Sequence, residues 1–444
     1  MTAATVSSAA QAAAPAAPEA ASSVSASVEA FSGLAHQVKL ELNAGDTAFM
    51  ILSTVLVLFM TLPGLALFYG GMVRKKNLLS TLAQSVAVSA VVTVLWILVG
   101  YSLAFGKSAD GINDFIGSFD AVMLKGVTLQ TAHSLAKGLP EYLWIAYQMT
   151  FAIITPALIA GSIAERMKFS AFVLFTALWL LLVYVPICHW VWGGGFVGAK
   201  MGVLDFAGGA VVHVNSGVAG LVAALVLGKR KGFGRDNMAP HNLGYTMIGS
   251  AMLLVGWIGF NAGSVWASNE LAAVAMLNTI VAAMTGIIGW TLPEWIERKQ
   301  PTLLGLVSGL VAGLVAITPA AGFVNPTGAL AIGLFGGVAC YFASTYVKNM
   351  FKYDDSLDAF GVHGVGGFVG AILTAVFADE SINALGKDAT VLKQFLGLVV
   401  VIAWSAVFTF LILMICKYTT GLRVTDEEEI EGLDMSQHGE TLHG

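Results

Sequence analysis

DFAGGAVVHVNSGVAGLVAALVLG, residues 205–228, would sit almost entirely at ease in hydrocarbon, yet it carries His213 near its centre. A second stretch, DAFGVHGVGGFVGAILTAVF, residues 358–377, sets His363 in similar surroundings. An ionisable side chain inside a bilayer is costly and is as a rule buried against a partner or a pathway, so both histidines are candidate functional residues. In each stretch glycines follow the histidine at the fourth and seventh positions: Gly217 and Gly220 in one, Gly367 and Gly370 in the other. That spacing puts the glycines on one helical stripe with the ring, where small residues let helices approach closely.

The surrounding chain fits a membrane. Of 444 residues, 57% are hydrophobic and 11% charged, with a mean hydropathy of +0.79; soluble domains carry roughly 25% charged residues. Eleven apolar stretches are each long enough to cross a hydrocarbon core of ~30 Å as a helix. They lie at about 46–70, 79–105, 141–165, 168–189, 208–228, 242–264, 270–292, 301–320, 324–347, 357–378 and 392–417. The expected fold is therefore an all-α polytopic membrane protein.

An odd number of spans puts the termini on opposite sides. With the N-terminus outside, only Lys39, Lys107, Lys125, Lys137, Lys200, Lys387 and Lys393 of the 22 basic residues fall on the outer side. Cytoplasmic loops carry the basic excess, so the N-terminus is expected outside and the C-terminus inside. Residues 1–45 are rich in Ala and Ser and lack the basic start and apolar core of a secretory signal. They read as a flexible external tail before a membrane domain of residues 46–420, with a cytoplasmic tail over 421–444. Cys188, Cys340 and Cys416 show no CxxC or CxxxC spacing, so neither a disulfide framework nor a thiolate metal site is indicated. No cofactor, metal, nucleic acid or enzymatic residue is called for.

The histidine stretches look like copies, and ITPA recurs at 154–157 and 317–320, again five spans apart. Duplicating an odd number of spans inserts the second copy upside down. Spans 1–5 and 6–10 thus form an inverted repeat, with span 11 added, and the two histidines can meet near the midplane. Paired histidines in that position suit either a proton or substrate pathway or axial ligation of a haem.

On this topology Phe151 lies in the outer part of span 3, Trp192 in the outer loop after span 4, and Phe260 near the outer end of span 6 with Ser264 one turn beyond. Interfacial aromatics commonly form only a membrane belt. A ring cluster with a hydroxyl above a histidine pair is also what a small cation needs: π faces to attract it and an oxygen to accept its N–H. Asp205 opens span 5 and Asp358 opens span 10, where carboxylates are expected to cap free helix amides.

FYGGMVRKKN (68–77), GSIAERMKFS (161–170), VPICHWVWGGG (185–195), LDFAGGAVVHVNSGVAGL (204–221), GWIGFNAGS (256–264), DAFGVHGVGG (358–367) and GLRVTDEEEIEGLD (421–434) closely resemble bacterial ammonium transporters of the Amt/Mep/Rh family. The resemblance covers about residues 46–440. It implies a homotrimer in the inner membrane, each subunit with its own pore for ammonium or methylammonium. It also implies that Trp192, Phe151 and Ser264 form an outer ammonium site, that Phe151 and Phe260 form a gate, and that His213 and His363 are the pore's twin histidines. Asp205 would support the outer site, and the C-terminal tail would position a PII/GlnK-type signalling protein. A sensor that barely transports is the alternative within the family; a haem-bearing redox protein is the alternative outside it.

Overall fold

In the computed structural model, which describes residues 36–442, the segment around His213 is helical but not uniformly so. Gly209–Val214 is a π-helical turn that passes into an α-helix over Asn215–Leu227, and Phe360–Gly364 around His363 is likewise a π turn leading into Val365–Phe377. π turns inside α-helices cluster at functional positions. Both occur at the same point of the repeat.

Counting interrupted helices as one, the apolar segments are α1 Ala44–Met72, α2 Lys75–Phe105, α3 Glu141–Ile163, α4 Phe169–Ala199, α5 Gly209–Leu227, α6 Leu243–Val265, α7 Glu270–Arg298, α8 Leu303–Ile317, α9 Pro326–Phe351, α10 Phe360–Phe377 and α11 Val391–Thr419. Ten are long enough to cross a membrane, and α8, at 15 residues, is shorter. The eleven expected spans are thus all helical, with one correction at span 8. There the regular helix stops at Ile317: Thr318 keeps helical dihedrals with its N–H bonding back to Val315, and Pro319 has no N–H with which to continue the ladder. The carbonyls of Ala321 and Val324 in the following turn accept from Asn278 Nδ2 on α7, at 2.9 and 2.7 Å. In the other copy α3 continues through Pro156.

The glycine stripe divides its work. A Cβ on Gly217 would collide with the backbone of Gly364, and one on Gly367 would press on His213, so these two bring α5 and α10 together. Gly220 instead meets Ser162 of α3 and Gly370 meets Ala316 of α8. Since α3 and α8 are equivalent in the repeat, the pattern is symmetric.

Residues 1–35 of the expected external tail lie outside the described residues. Within residues 36–45 the chain forms a short strand and enters α1. Gln37–Lys39 (β1) pairs antiparallel with Thr131–His133 (β2), Gln37 opposite His133. Asn43 then caps α1, its side chain accepting from Asp46 N.

His133 is buried beneath this strand pair. Its Nε2 faces the Phe105 carbonyl at 3.3 Å and its Nδ1 accepts from Leu135 N at 3.2 Å, an arrangement that suits the neutral ring. Burial, with His36 alongside, pushes its pKa down from 6.5 to about 4. Between those pH values the unfolded segment holds a proton that the folded one does not, so the clasp loses stability as pH falls through that window. Amide protection of β1 should therefore drop between pH 6.5 and 4, and a His133→Phe variant should show a flatter pH dependence by hydrogen exchange.

Candidate functional site

Helix α3 contributes Phe151, α6 contributes Phe260 and Ser264, the end of α4 contributes Trp192, and α5 and α10 contribute the histidines. All converge on one axis. Phe151, Trp192 and Ser264 line a cavity of about 250 Å³ together with Gln148, Asp205 and Trp266. At its floor Phe151 stacks on Phe260, ring centroids 4.2 Å apart and 23° from parallel. Trp192 stands edge-on to Phe151 at 5.8 Å, with its indole N–H donating to the Asp205 carbonyl at 2.9 Å.

Beyond the phenylalanines lies the histidine pair. The Phe260 ring is 6.1 Å from that of His213, and His213 Nδ1 is 3.3 Å from His363 Nδ1. Both rings are buried, and His213 Nε2 has no hydrogen-bond partner among the described residues. Past them His363 lines a pocket of about 20 Å³ with Tyr69, Met72 and Asp358. Met72 and Asp358 also line a mouth of about 290 Å³ that carries Arg230 and Lys348. The order is cavity, ring stack, imidazole pair, narrow pocket and charged mouth. An Nδ1–Nδ1 contact at hydrogen-bond distance joins the imidazoles to each other and leaves no space between those atoms for an iron, so the pair does not have the geometry of axial haem ligands.

The two aspartates behave differently from each other. The Asp205 carboxylate accepts from the amides of Gly208, Gly209, Ala210 and Val211 at 2.6–3.0 Å, holding the π turn that carries His213. Asp358 caps nothing in this way: its backbone is left-handed, at φ +58°, and its carboxylate pairs with Lys348 Nζ at 2.7 Å. The cap of α10 is Asp355, which accepts from Ala359 N at 3.2 Å and Phe360 N at 2.8 Å. Asp355 stands as far before His363 as Asp205 does before His213, so the register of the repeat already pointed to it. The expectation for Asp358 followed the start of the apolar run instead.

Two further residues shape the site. Trp257 stacks on His213 at 5.3 Å and donates its indole N–H to Thr318 Oγ1 at 2.8 Å. The Tyr147 ring meets Phe151 at 5.0 Å, and its hydroxyl lies 2.9 Å from the Phe260 carbonyl and 3.4 Å from Ser264 Oγ. Each sits about one turn before one of the two stacked phenylalanines on the same helix, a spacing that places it on the same face.

At the far end of the bundle from Trp192, Arg230 bridges Asp354 at 2.8 Å and Glu165 at 3.2 Å, and Arg74 holds Glu165 at 2.7 Å. The acidic segment packs there as two short helices, α12 Asp426–Glu431 and α13 Leu433–His438. Of its acids, Glu429 and Asp434 are buried. Glu429 accepts from Lys231 N and Arg423 Nη2, both at 2.6 Å, and Asp434 accepts from Ser80 N at 2.8 Å.

An apolar helical bundle with an aromatic cavity closing onto buried imidazoles has the architecture of a membrane transporter. Residues 48–443 match the model of the Ammonium Transporter Family. An ammonium transporter of Aquifex aeolicus is 49% identical, covering 93% of this chain and 96% of its own length, and one of Bacillus subtilis is 48% identical over 90% and 99%. Among solved structures, Saccharomyces cerevisiae Mep2 superposes with a TM-score of 0.80 at 34% identity, covering 87% of this chain and 89% of its own. A structure named Sensor Amt Protein superposes at 0.82 with 29% identity, covering 89% and 98%. The chain belongs to the Ammonium Transporter Family.

Removing either capping carboxylate strands buried amides, at about 1–3 kcal/mol for each one left unpaired. Asp205→Ala and Asp355→Ala should therefore lower the thermal unfolding midpoint in detergent clearly. Asp358→Ala, which loses only a partly exposed ion pair, should change stability by less than about 1 kcal/mol.

Proposed function

We propose that the chain captures NH4+ in the cavity of Phe151, Trp192 and Ser264, strips its proton at the Phe151–Phe260 stack, and conducts NH3 along the axis past His213 and His363. The observation that carries this reading is the order of groups on that axis: π faces and a hydroxyl first, a closed ring stack next, and buried imidazoles after it.

Ammonium in water is mostly the cation, as amines with pKa values near ~10.4 are. The Phe151 and Trp192 rings attract it, and Ser264 Oγ, whose own proton goes to the Phe260 carbonyl at 2.9 Å, offers a lone pair. Moving a small ion into a dry medium costs tens of kcal/mol in the Born limit, whereas an uncharged amine gives up only a few hydrogen bonds. The narrow segment therefore favours NH3.

The proton has its own route through the imidazoles. In a neutral pair one Nδ1 donates to the other, so the donating ring has a bare Nε2 and the accepting ring carries its proton there. A proton arriving at the bare Nε2 and another leaving the protonated one moves a charge across the pair, with the shared proton shifting between. His213→Asn and His363→Asn preserve polarity but cannot titrate near neutral pH. Each should assemble normally and lose most ammonium-dependent current in proteoliposomes; wild-type current in both would return the pair to a purely structural role.

The cavity end, which carries the N-terminus of α1, is the outer side on this reading, and the Arg230 end is cytoplasmic, in the inner membrane. The whole path is lined by one chain, which fits a homotrimer of independently conducting subunits. Asp205 supports the outer site by holding Trp192 and the His213 turn. The docked segment 421–444 serves as a regulatory tail for a PII/GlnK-type cytosolic protein. Deleting it should leave the pore folded while lowering uptake or abolishing partner binding; uptake and binding both at wild-type level would remove that role. The match to a protein named as a sensor favours testing signalling separately, by comparing methylammonium flux with a nitrogen-response reporter.

A further inference from the structure

The cavity has a wall that the capture reading leaves unused. Trp266 lines it together with Ser264, Phe151 and Trp192. Its backbone is left-handed, φ +61°, a conformation that bulky residues avoid and that persists only where the surroundings impose it.

What imposes it is a stack of rings running away from the cavity. Trp266 stands edge-on to Trp144, centroids 4.6 Å apart. Trp144, completely buried, lies flat on His133 at 4.8 Å and 6°, and Phe105 closes edge-on against both. His133 belongs to β2, so the far end of the stack is covered by β1.

The strand pair is tied down by a buried carboxylate. Glu141, one turn before Trp144 on α3, accepts from Tyr101 Oη at 2.7 Å and from Gln37 Nε2 at 2.9 Å, with His36 Nε2 at 3.6 Å. One acid thus joins the N-terminal strand, α2 and α3 around the base of the ring stack. A carboxylate with no solvent contact keeps its place only while its hydrogen-bond donors stay, which makes this closure specific rather than adhesive.

From this arrangement we infer that Trp266 is a second aromatic wall of the cation-capture site, and that the N-terminal strand clasp positions it through His133 and Trp144. Trp266 is then a binding residue, and His133 and Trp144 are positioning residues. Trp192 and Trp266 both line the one cavity, so a cation held there meets two indoles besides the Phe151 ring, and a methyl group on it meets apolar wall rather than water.

The inference rests on the capture-site reading, and the test separates the two. Full-length protein in proteoliposomes is assayed for uptake of radiolabelled methylammonium over a range of concentrations. Trp266→Leu should raise the apparent KM about two- to thirtyfold, the span expected for loss of one cation–π contact, and lower the maximal rate by less. Trp266→Phe, with a smaller ring, should give a smaller rise. His133→Ala, remote from the cavity, should shift KM in the same direction, while His133→Phe, which keeps a flat ring on Trp144, should shift it less. The double variant Trp266→Leu/His133→Ala should be no worse than Trp266→Leu alone, a non-additivity that general loosening of the fold would not produce. If His133→Ala does not assemble, Gln37→Ala tests the clasp from the surface and should also raise KM. A wild-type KM for Trp266→Leu beside a raised KM for Trp192→Leu overturns this inference and leaves the capture site standing; unchanged KM in both overturns the two together. Additive effects in the double variant refute the coupling through the stack.

Discussion

Two imidazoles can share a hydrogen bond in the interior of this bundle only if their helices touch backbone to backbone, and much of the architecture follows from that requirement. Gly217 against Gly364 and Gly367 against His213 supply the contact, since a Cβ at either glycine would hold the helices apart. Each histidine also rides on a π turn, which departs from the ordinary helical hydrogen-bond register and leaves amides that need other partners. Asp205 and Asp355 supply those acceptors at the entry of each turn. Glycine contact, π turn and capping aspartate therefore form one device, present once in each half of the repeat. Removing any part displaces the rings.

The energetics of the axis, as proposed, divide between a ring stack that is easy to part and a medium that is hard to enter. Separating the Phe151–Phe260 stack forfeits about 0.5–1.5 kcal/mol of ring contact, which thermal motion supplies readily. Desolvating a small ion costs an order of magnitude more. On the proposed conduction path, discrimination against ions therefore comes from the cost of desolvation past the rings rather than from their steric closure. Among the described residues His213 Nε2 has no hydrogen-bond partner and is one of the few polar atoms on that stretch.

How far the residues alone reveal this depends on whether the signal is local. Apolar runs located the helices because length and hydropathy are properties of contiguous sequence, and the repeat paired His213 with His363 because both copies keep the His-x3-Gly-x2-Gly spacing. The cavity residues Phe151, Trp192, Phe260 and Ser264 could be placed at one end from topology alone, but their mutual contact depends on how helices from opposite halves pack. Asp355 was legible from the repeat register yet masked by Asp358, which stands nearer the apolar run. The β1–β2 clasp left no periodic trace, since strands of three residues separated by about ninety positions acquire their stability from partners such as Glu141, not from pattern. The stop at Ile317 shows the same dependence on context: an identical ITPA sequence continues as helix in α3 and ends one in α8, where Asn278 accommodates the freed carbonyls.

The helix that carries His213 is anchored at both ends, and the two anchors differ in kind. At its start Asp205 belongs to the same segment and moves with it. At its end the carbonyls of Leu227 and Gly228 accept from Arg423 Nη1 and Arg166 Nε, both at 2.9 Å, so the last turn of α5 is held by guanidinium groups from elsewhere in the chain. Arg166 is locked in place by the Asp354 carbonyl at 2.6 Å, whereas Arg423 is held by Glu429 of the docked acidic segment. The backbone of Arg423 is bridged to Met167, so what the acidic segment controls is its guanidinium, which Glu429 orients toward the Leu227 carbonyl. A hydrogen bond to a charged group contributes about 1.5–3 kcal/mol, the size of a typical coupling free energy between distant sites. The bundle thus contains a contact of sufficient strength, at the one end of α5 that another part of the chain controls, for the state of the tail to bear on the position of the His213 ring.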